Sequence, residues 1–323
     1  MGIVPRTRLV HRTVSIVVTA AIVALIVRRV PLSAVHAALQ DADLPWFLAL
    51  MIPNTIFYFA WDTLVLSVAV RWFHGSVPYR ELLPVRAVSY VMGFFNTNLG
   101  RGAVAAYLSR RLPAPFLELG STVLFLVLTE YTQLVLWALL GLFGFRAEVS
   151  RSLSAVAGGV VVFWLFVRLL LAPRDWSIAR TFRLATPARY AAMVLLRAPM
   201  FLVSLVLHYY AAHAFGFRIP FGAMLTFLPV IFMIAALPVT VAHLGSTQAA
   251  WIFFFSPYAP TPRLLAFSLA AHLVFAFTRA LLGVAWLPSA YAELLPDATS
   301  SRLSPSRTVA GSFSSTAHTE GAQ

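Results

Sequence analysis

The amino-acid sequence predicts an all-α membrane protein, a bundle of helices that crosses the bilayer several times. Of its 323 residues, 60% are apolar and 11% are charged, whereas a soluble domain is about 45–50% apolar and about 25% charged. The mean hydropathy of +0.83 indicates the same environment. Because a water-soluble chain cannot cover so much apolar surface, the composition excludes a soluble globular protein.

The residue types that are missing exclude several kinds of chemistry. The chain has no cysteine, and all 24 of its basic residues are arginine. Disulfides, thiolate-ligated metals, Schiff-base lysines and P-loop lysines are therefore excluded. No metal-ligand spacing, nucleotide-binding loop or nucleophile motif occurs, so we expect no metal, no cofactor and no enzymatic activity. The net charge of +13 is interpreted as a topology signal and not as a nucleic-acid interface.

The first predicted span covers residues 14–30. Arginines precede it, as they precede a secretory signal peptide. However, Arg28 and Arg29 stand where the small residues of a cleavage site would be, so we expect a retained span.

Seven further apolar segments follow along the chain. Five are continuous and long enough to cross a bilayer, namely 44–70, 119–145, 154–172, 190–214 and 264–287. The other two, 82–112 and 222–258, are interrupted near their middle by Gly, Pro and polar residues. Residues 1–296 are thus predicted to form one membrane domain. The Ser- and Thr-rich residues 297–323 are predicted to be a disordered cytoplasmic tail.

The arginines favour one of two topologies. Eight crossings would place Arg101, Arg110 and Arg111 outside, against the positive-inside tendency. Six full crossings with two re-entrant or broken segments place 15 arginines inside, Arg86 among them, 6 outside and 3 within spans. We therefore expect six crossings and two re-entrant segments in the inner (plasma) membrane, with both termini cytoplasmic.

The two interrupted segments carry related motifs. The first runs from Phe94 to Gly102 and reads FFNTNLGRG; the second runs from Leu237 to Ala250 and reads LPVTVAHLGSTQAA. Together they resemble the transmembrane region of the lysylphosphatidylglycerol synthase family, the flippase-like integral membrane domain. The resemblance extends over about residues 10–290 and implies a membrane protein that handles lipid head groups.

The motifs depart from the family pattern at specific positions. Leu99 replaces the family's Pro, Ala103 and Val104 stand near the place of its first acid, and Thr247-Gln248 replaces its Arg-Glu pair. Family members that make aminoacylated lipids carry a large soluble transferase domain, which we expect this chain to lack. The resemblance therefore does not imply synthase chemistry here.

Interrupted segments in both halves of a membrane protein are typical of a binding site near the bilayer midplane. A helix that begins after each break would point its N-terminal N–H groups at such a site, which suits an anionic head group. The alternative is a packing notch, because small residues also let helices approach closely. The candidate binding residues are Asn96, Asn98, Gly100, Arg101, His243, Gly245 and Gln248.

Ionisable residues inside spans are functional candidates because they are costly in hydrocarbon. Four residues are of this kind: Asp62, Glu130, Arg197 and Arg279. Each forms a stripe with polar residues at helical spacing, namely Asn54 and Tyr58 with Asp62, Gln133 with Glu130, Ser204 and His208 with Arg197, and Ser268 and His272 with Arg279. The four polar stripes predict a shared interior that is not lipid. The alternative role for either acid is a structural ion pair with Arg197 or Arg279.

These patterns favour a flippase-like transporter of an anionic phospholipid or a polyprenyl-phosphate-linked head group in cell-envelope metabolism. Two other functions stay open. One is a non-catalytic scaffold or partner of an envelope-biosynthesis enzyme, and the other is a membrane-embedded transferase with Asp62 or Glu130 as general base. The expected partners are membrane lipids and such an enzyme.

Overall fold

The computed structural model describes residues 31–95, 97–145, 176–236 and 245–294, together with residues 24 and 28. Within these ranges the regular structure is helical, with no strand, as the sequence predicts. The helices are α1 (Leu32–Gln40), α2 (Leu44–Phe73), α3 (Tyr79–Phe95), α4 (Thr97–Arg111), α5 (Phe116–Phe145), α6 (Arg180–Leu184), α7 (Pro187–His213), α8 (Phe221–Ala236), α9 (Ser246–Phe255) and α10 (Thr261–Leu294), and a 3₁₀ turn at Ser177–Ala179 precedes α6.

Four of these helices are long and apolar enough to cross a membrane, namely α2, α5, α7 and α10. They confirm four of the six predicted crossings. The other two, residues 14–30 and 154–172, lie outside the described residues, apart from residues 24 and 28, and so does the predicted tail at 297–323. The chain is therefore a multi-pass helical membrane protein.

Local sequence signals define the start of α2 and of α7. Asp43 caps α2 by accepting a hydrogen bond from the Trp46 backbone N–H at 3.1 Å. Thr186 caps α7 by accepting one from the Arg189 backbone N–H at 3.2 Å. A proline follows each cap in the first turn, where its missing N–H costs nothing.

The first interrupted segment folds into a helical hairpin of α3 and α4. At its open end, Arg111 Nη1 lies 3.7 Å from Glu81 Oε2. Near its tip, a Cβ atom added to Gly100 would lie 2.4 Å from the carbonyl oxygen of Ser89 and 3.0 Å from Cα of Gly93. The absence of a side chain at Gly100 thus lets the two helices approach backbone to backbone.

The second interrupted segment forms a similar pair, α8 and α9. The rings of Phe227 and Phe254 stack with centroids 4.9 Å apart. Gly245 precedes α9 with φ of 89°, a conformation that favours glycine. Its N–H donates to Gln248 Oε1 at 2.7 Å, which closes the first turn of α9.

The two halves of the described chain share one order of elements: a span, a helical pair and a second span. The packing exchanges partners between the halves, because α3 packs on α10 and α8 packs on α5. Where α3 packs on α10, a Cβ on Gly283 would lie 2.2 Å from the Val91 side chain. Where α8 packs on α5, a Cβ on Gly141 would lie 2.6 Å from the Thr226 backbone N.

The long helices α2 and α7 run antiparallel across the middle of the bundle. Ser204 Oγ donates to Asn54 Oδ1 at 2.9 Å, and Trp61 Nε1 donates to the carbonyl of Leu196 at 2.7 Å. Equivalent elements of the two halves therefore run in opposite directions, which defines an inverted repeat.

Breaking residues recur in the two halves at a spacing of 142 to 146 positions. The pairs are Pro53 and Pro199, Pro84 and Pro229, Gly100 and Gly245, Pro115 and Pro260, and Gly141 and Gly283. The regular spacing places each pair at corresponding points of the two halves and supports their interpretation as two copies of one unit.

Short-range polar contacts dock α6 against the spans. His74 Nε2 lies 2.7 Å from Thr122 Oγ1, which lies 2.8 Å from Thr181 Oγ1. Arg180 also pairs with Glu118 at the start of α5. Burial, followed by repulsion from the Arg180 guanidinium, lowers the pKa of His74, which lies just beyond the end of α2.

Candidate functional site

A cavity of about 630 Å³ lies between the two halves, within the usual size range of small-molecule sites. It lies between two clusters of buried apolar side chains. One cluster contributes Met51, Leu134 and Phe201 to the cavity wall, and the other contributes Leu66 and Met200. The polar residues of the lining come from both halves: Asn54, Tyr58, Asp62, Arg86, Ser89, Tyr90, Arg101, Glu130, Gln133, Arg197, Ser204, His208, Thr247, Ser268, His272 and Arg279.

Asp62 on α2 is the most fully engaged acid in the cavity. Its Oδ2 accepts a hydrogen bond from Arg86 Nε at 2.7 Å and another from the Tyr90 hydroxyl at 2.5 Å. Arg86 Nη2 also pairs with the same oxygen. These contacts tie α2 to α3 of the first hairpin. An ion pair with this many hydrogen bonds holds both partners in their charged forms.

Arg197 on α7 lies between the two acids of the cavity. Its side chain is 2% exposed, and its Nη1 atom is 3.9 Å from Asp62 Oδ1 and 3.7 Å from Glu130 Oε2. Both separations exceed hydrogen-bond length, and neither Nε nor Nη1 has a hydrogen-bond partner among the described residues. Arg197 is therefore a buried cation whose Nε and Nη1 donors have no acceptor among the described residues.

Glu130 on α5 has fewer partners than Asp62. Its Oε1 accepts a hydrogen bond from the Tyr58 hydroxyl at 3.0 Å, and Arg197 is its charged neighbour within 4 Å in the described part of the chain. The Glu130 side chain is 30% exposed, against 5% for Asp62. It thus combines a charge partner with access from the cavity.

Arg279 on α10 is held by aromatic faces. Its guanidinium carbon is 3.7 Å from the ring centroid of Tyr90, 4.1 Å from that of Phe275 and 5.5 Å from that of Tyr58. Its buried Nε has no hydrogen-bond partner among the described residues. Cation–π contacts stabilise the charge but leave the in-plane N–H donors for another acceptor.

The charges of the cavity do not balance. Its described lining contains four arginines (Arg86, Arg101, Arg197 and Arg279) and two acids (Asp62 and Glu130), a surplus of two positive charges with neutral histidines. The first turns of α4 and α9 also reach the cavity, through Gly100 and Thr247 respectively. Because helix N-termini favour anions, the site is suited to a negatively charged group.

A neutral hydrogen-bonded layer completes the polar lining. Ser204 bridges Asn54 and His208: its hydroxyl donates to Asn54, and its carbonyl oxygen lies 2.7 Å from His208 Nδ1. Gln133 Oε1 is buried and accepts no hydrogen bond from the described residues. No group of three or more acidic or histidine side chains in this part of the chain is placed to hold a metal ion.

The cavity reaches the outer surface of the bundle beside α10. Leu273 and Phe277 line it, yet they are 42% and 65% exposed. Apolar side chains that are exposed on the outside of α10 therefore also form part of the cavity wall.

The structure brings some of the sequence-predicted site residues together and separates others. Gly100 and Arg101 line the cavity, as do Asp62, Glu130, Arg197 and Arg279 with their polar stripes. Gly245 and Gln248 instead bind each other at the start of α9, and the buried Gln248 Nε2 has no partner among the described residues.

Three predicted site residues have no described side chain. Asn98 lies in α4, but its side chain is not described, and Asn96 and His243 lie outside the described residues. Their assignment to the site stays a prediction.

Sequence reasoning missed Arg86 and Tyr90, the closest partners of Asp62. It counted Arg86 among the cytoplasmic topology arginines, whereas the structure places it in the cavity on α3. The available signal was the i, i+4 spacing of Arg86 and Tyr90 within an interrupted segment, which puts both on one helical face. Their pairing with Asp62 depends on the α2–α3 contact, which the spacing does not specify.

Fold and cavity together define a polytopic membrane protein with a positively charged internal site. A sequence model of one family, the lysylphosphatidylglycerol synthase TM region, matches residues 12–283. The chain belongs to this family, as the two motifs indicate. The comparison with curated proteins gives no match.

Proposed function

We propose that this protein is a flippase-like transporter that binds an anionic lipid head group in the central cavity and moves it across the membrane. The observation that carries the proposal is the surplus of two positive charges in a site that also receives two helix N-termini. A phosphate group is matched by planar guanidinium donors and by the positive end of the helix dipole at a helix N-terminus.

The lateral opening supports a lipid over a water-soluble anion. With Leu273 and Phe277 exposed at the mouth, acyl or polyprenyl chains remain in the bilayer while the head group occupies the polar cavity. The substrate class is therefore an anionic phospholipid or a polyprenyl-phosphate-linked lipid. We propose a role in cell-envelope metabolism without an enzymatic step.

The engagement of Asp62 favours transport over transferase chemistry. Three donor groups on Arg86 and Tyr90 occupy its Oδ2 atom, and Arg197 lies beside Oδ1. A general base needs a lone pair within reach of the substrate proton. Glu130 is the more exposed of the two cavity acids. The sequence contains no loop typical of a site that binds the donor substrate of a transferase.

We also propose that both helical pairs are re-entrant and that both termini are cytoplasmic, in the inner (plasma) membrane. The Glu81–Arg111 contact places the start of α3 and the end of α4 at one end of the hairpin, which supports entry and exit on one side. The antiparallel directions of α2 and α7 support entry of the second pair from the opposite side.

Single cysteines introduced into this cysteine-free chain report the topology directly. We expect Ser76→Cys and Arg110→Cys to react with an impermeant maleimide from the cytoplasm, and Gly144→Cys and Arg218→Cys from outside, since all four positions are exposed. Labelling of positions 76 and 110 from opposite sides would show that the first pair crosses the membrane.

Arg101 tests the site because it is a cavity arginine without an acid partner in the described residues. Arg101→Ala is expected to slow transport of a fluorescent phosphatidylglycerol in vesicles by about tenfold or more, the loss of one charge-assisted contact of about 1.5–3 kcal/mol. Arg101→Lys keeps the charge but loses the bidentate fork, so we expect nearly the same loss.

The matched control is Arg110→Lys, at the exposed far end of the same helix, which should transport normally. Wild-type vesicles that move anionic and zwitterionic lipids no faster than empty vesicles would contradict the transporter and favour the scaffold. Normal transport by Arg101→Ala would move the site away from the α3–α4 tip.

A further inference from the structure

Arg197 and Glu130 form a contact that an anion in the cavity can replace. The Nη1 atom of Arg197 lies 3.7 Å from Glu130 Oε2, too far for a hydrogen bond, and its Nε and Nη1 atoms have no acceptor among the described residues. Both side chains line the cavity. A phosphate oxygen that enters can take the vacant Arg197 donors, with the strength of a charge-assisted hydrogen bond.

We propose that anion binding in this cavity is coupled to the uptake of one proton by Glu130. The inference rests on the proposed function, because the anion is the lipid head group. When the anion engages Arg197, Glu130 is left beside a second negative charge in a site of low dielectric, which disfavours its ionised form. The carboxylate then accepts one proton from water that enters the cavity and becomes a neutral carboxylic acid.

The proton goes to Glu130 and not to Asp62, for reasons of geometry. Asp62 retains its contacts with Arg86 and Tyr90 when Arg197 is drawn to the anion, so its charge stays compensated. Glu130 retains a hydrogen bond from the neutral hydroxyl of Tyr58. It is also the more exposed acid, at 30% against 5%, so water delivers the proton to it more readily.

Other titratable and charged groups lie on α5 and on the helices around the cavity. They are Tyr58 and Asp62 on α2, Arg101 on α4, Tyr131 on α5 itself, Tyr190, Arg197 and His208 on α7, and His272 and Arg279 on α10, while Arg180 and Arg183 of α6 lie towards the start of α5. Helix α8 has no titratable residue. Two of these groups, His208 and His272, are histidines that line the same cavity, so a test must separate them from Glu130.

A consequence for transport follows from the stoichiometry. A singly charged head group that binds with one proton leaves the net charge of the cavity unchanged, and its movement across the membrane is electroneutral. The pH difference across the membrane can therefore drive transport, whereas the voltage does no net work on the combined movement of one anion and one proton.

The test measures the affinity of the purified full chain, in zwitterionic nanodiscs, for phosphatidylglycerol with a fluorescent acyl chain. This probe is a phosphodiester, which does not titrate between pH 5.5 and 8.5, unlike a phosphomonoester with a pKa near 6. For the wild type we expect affinity to rise by up to about tenfold per unit fall in pH, the limit for one coupled proton. A pH-indicator dye in weak buffer should record about one proton taken up per probe bound.

Single substitutions identify the residue that takes up the proton. Glu130→Gln should bind the probe with little dependence on pH and without proton uptake. Glu118→Gln changes an acid at the start of α5 outside the cavity and should keep the wild-type affinity and pH dependence. His272→Gln and His208→Gln alter the cavity lining, so they are compared by the slope of affinity against pH, which should remain that of the wild type.

Each outcome decides between the two proposals. Binding by the wild type that does not change with pH, or an unchanged pH dependence in Glu130→Gln, would overturn proton coupling at Glu130 and leave the lipid site standing. A dependence abolished by His272→Gln would overturn it as well. Absence of probe binding by the wild type at every pH would overturn the proposed function and the coupling together. Proton uptake by the wild type is measured without a variant, so misfolding of Glu130→Gln does not remove the test.

Discussion

Asp62→Asn is expected to lower the free energy of unfolding by about 3–5 kcal/mol, because it leaves the Arg86 guanidinium in the cavity without its carboxylate. Arg86 would lose an ion pair with two contacts to one oxygen, and Arg197 would lose one of its two flanking acids. The asparagine keeps the size of the side chain, so the change reports charge and hydrogen bonding and not packing. Thermal unfolding in detergent measures the loss.

The partner of Asp62 is identified by double-mutant cycles. Asp62→Asn combined with Arg86→Gln should recover part of the stability, since the second change removes the stranded charge. The coupling energy should be larger for Arg86, whose Nε is 2.7 Å from Asp62, than for Arg197 at 3.9 Å. Strict additivity for both pairs would contradict the ion-pair arrangement.

Asp43→Asn is the matched control for this cycle. Asp43 caps α2 at an exposed position, and asparagine caps a helix about as well as aspartate, so we expect little change. Equal losses for Asp43→Asn and Asp62→Asn would show that Asp62 has no special partner.

The sequence was sufficient for the class of fold because lipid imposes its constraints on every span. Long apolar segments predict α2, α5, α7 and α10 directly. Gly and Pro in the middle of the two interrupted apolar runs predict that each run forms two helices and not one, as α3 with α4 and α8 with α9 do. Element type and order are local properties, and local patterns specify them.

The inverted arrangement of the two halves is a relation between distant segments. The recurrence of Pro53 at Pro199 and of Pro84 at Pro229 is visible in the sequence. Its meaning depends on the direction of α2 relative to α7, which the Asn54–Ser204 contact defines. A spacing near 145 predicts a repeat, but it does not by itself predict that the copies exchange their packing partners.

The candidate site was predicted in its residue types and missed in its pairing. Intramembrane charges stand out because they are rare, so Asp62, Glu130, Arg197 and Arg279 were all identified. Arg86 was missed because an arginine near the end of an apolar run also satisfies the positive-inside tendency. Only the packing of α3 against α2 distinguishes the two roles.

Gly141→Ala is expected to destabilise the bundle by about 1–3 kcal/mol, although alanine is the better helix former by about 1 kcal/mol. The new Cβ would lie 2.6 Å from the backbone N of Thr226 and 2.8 Å from its Cα, so α5 and α8 must move apart. Gly144→Ala, one turn later on the same helix, has nothing within 4 Å of the new atom and should be neutral or stabilising. Thermal unfolding of the two variants measures the difference.

The equivalent substitution in the other half should respond differently to a second change. In Gly283→Ala the shortest contact, 2.2 Å, is to the side-chain Cγ2 of Val91, whereas the Ala87 carbonyl is 3.1 Å away. Val91→Ala should therefore restore much of the stability lost in Gly283→Ala. Thr226→Ala should not rescue Gly141→Ala, because the atoms that obstruct the new Cβ there include the backbone of α8. Rescue of Gly141→Ala by Thr226→Ala would contradict the backbone-to-backbone approach of α5 and α8. Failure of Val91→Ala to rescue Gly283→Ala would show that backbone atoms also limit the approach of α3 and α10.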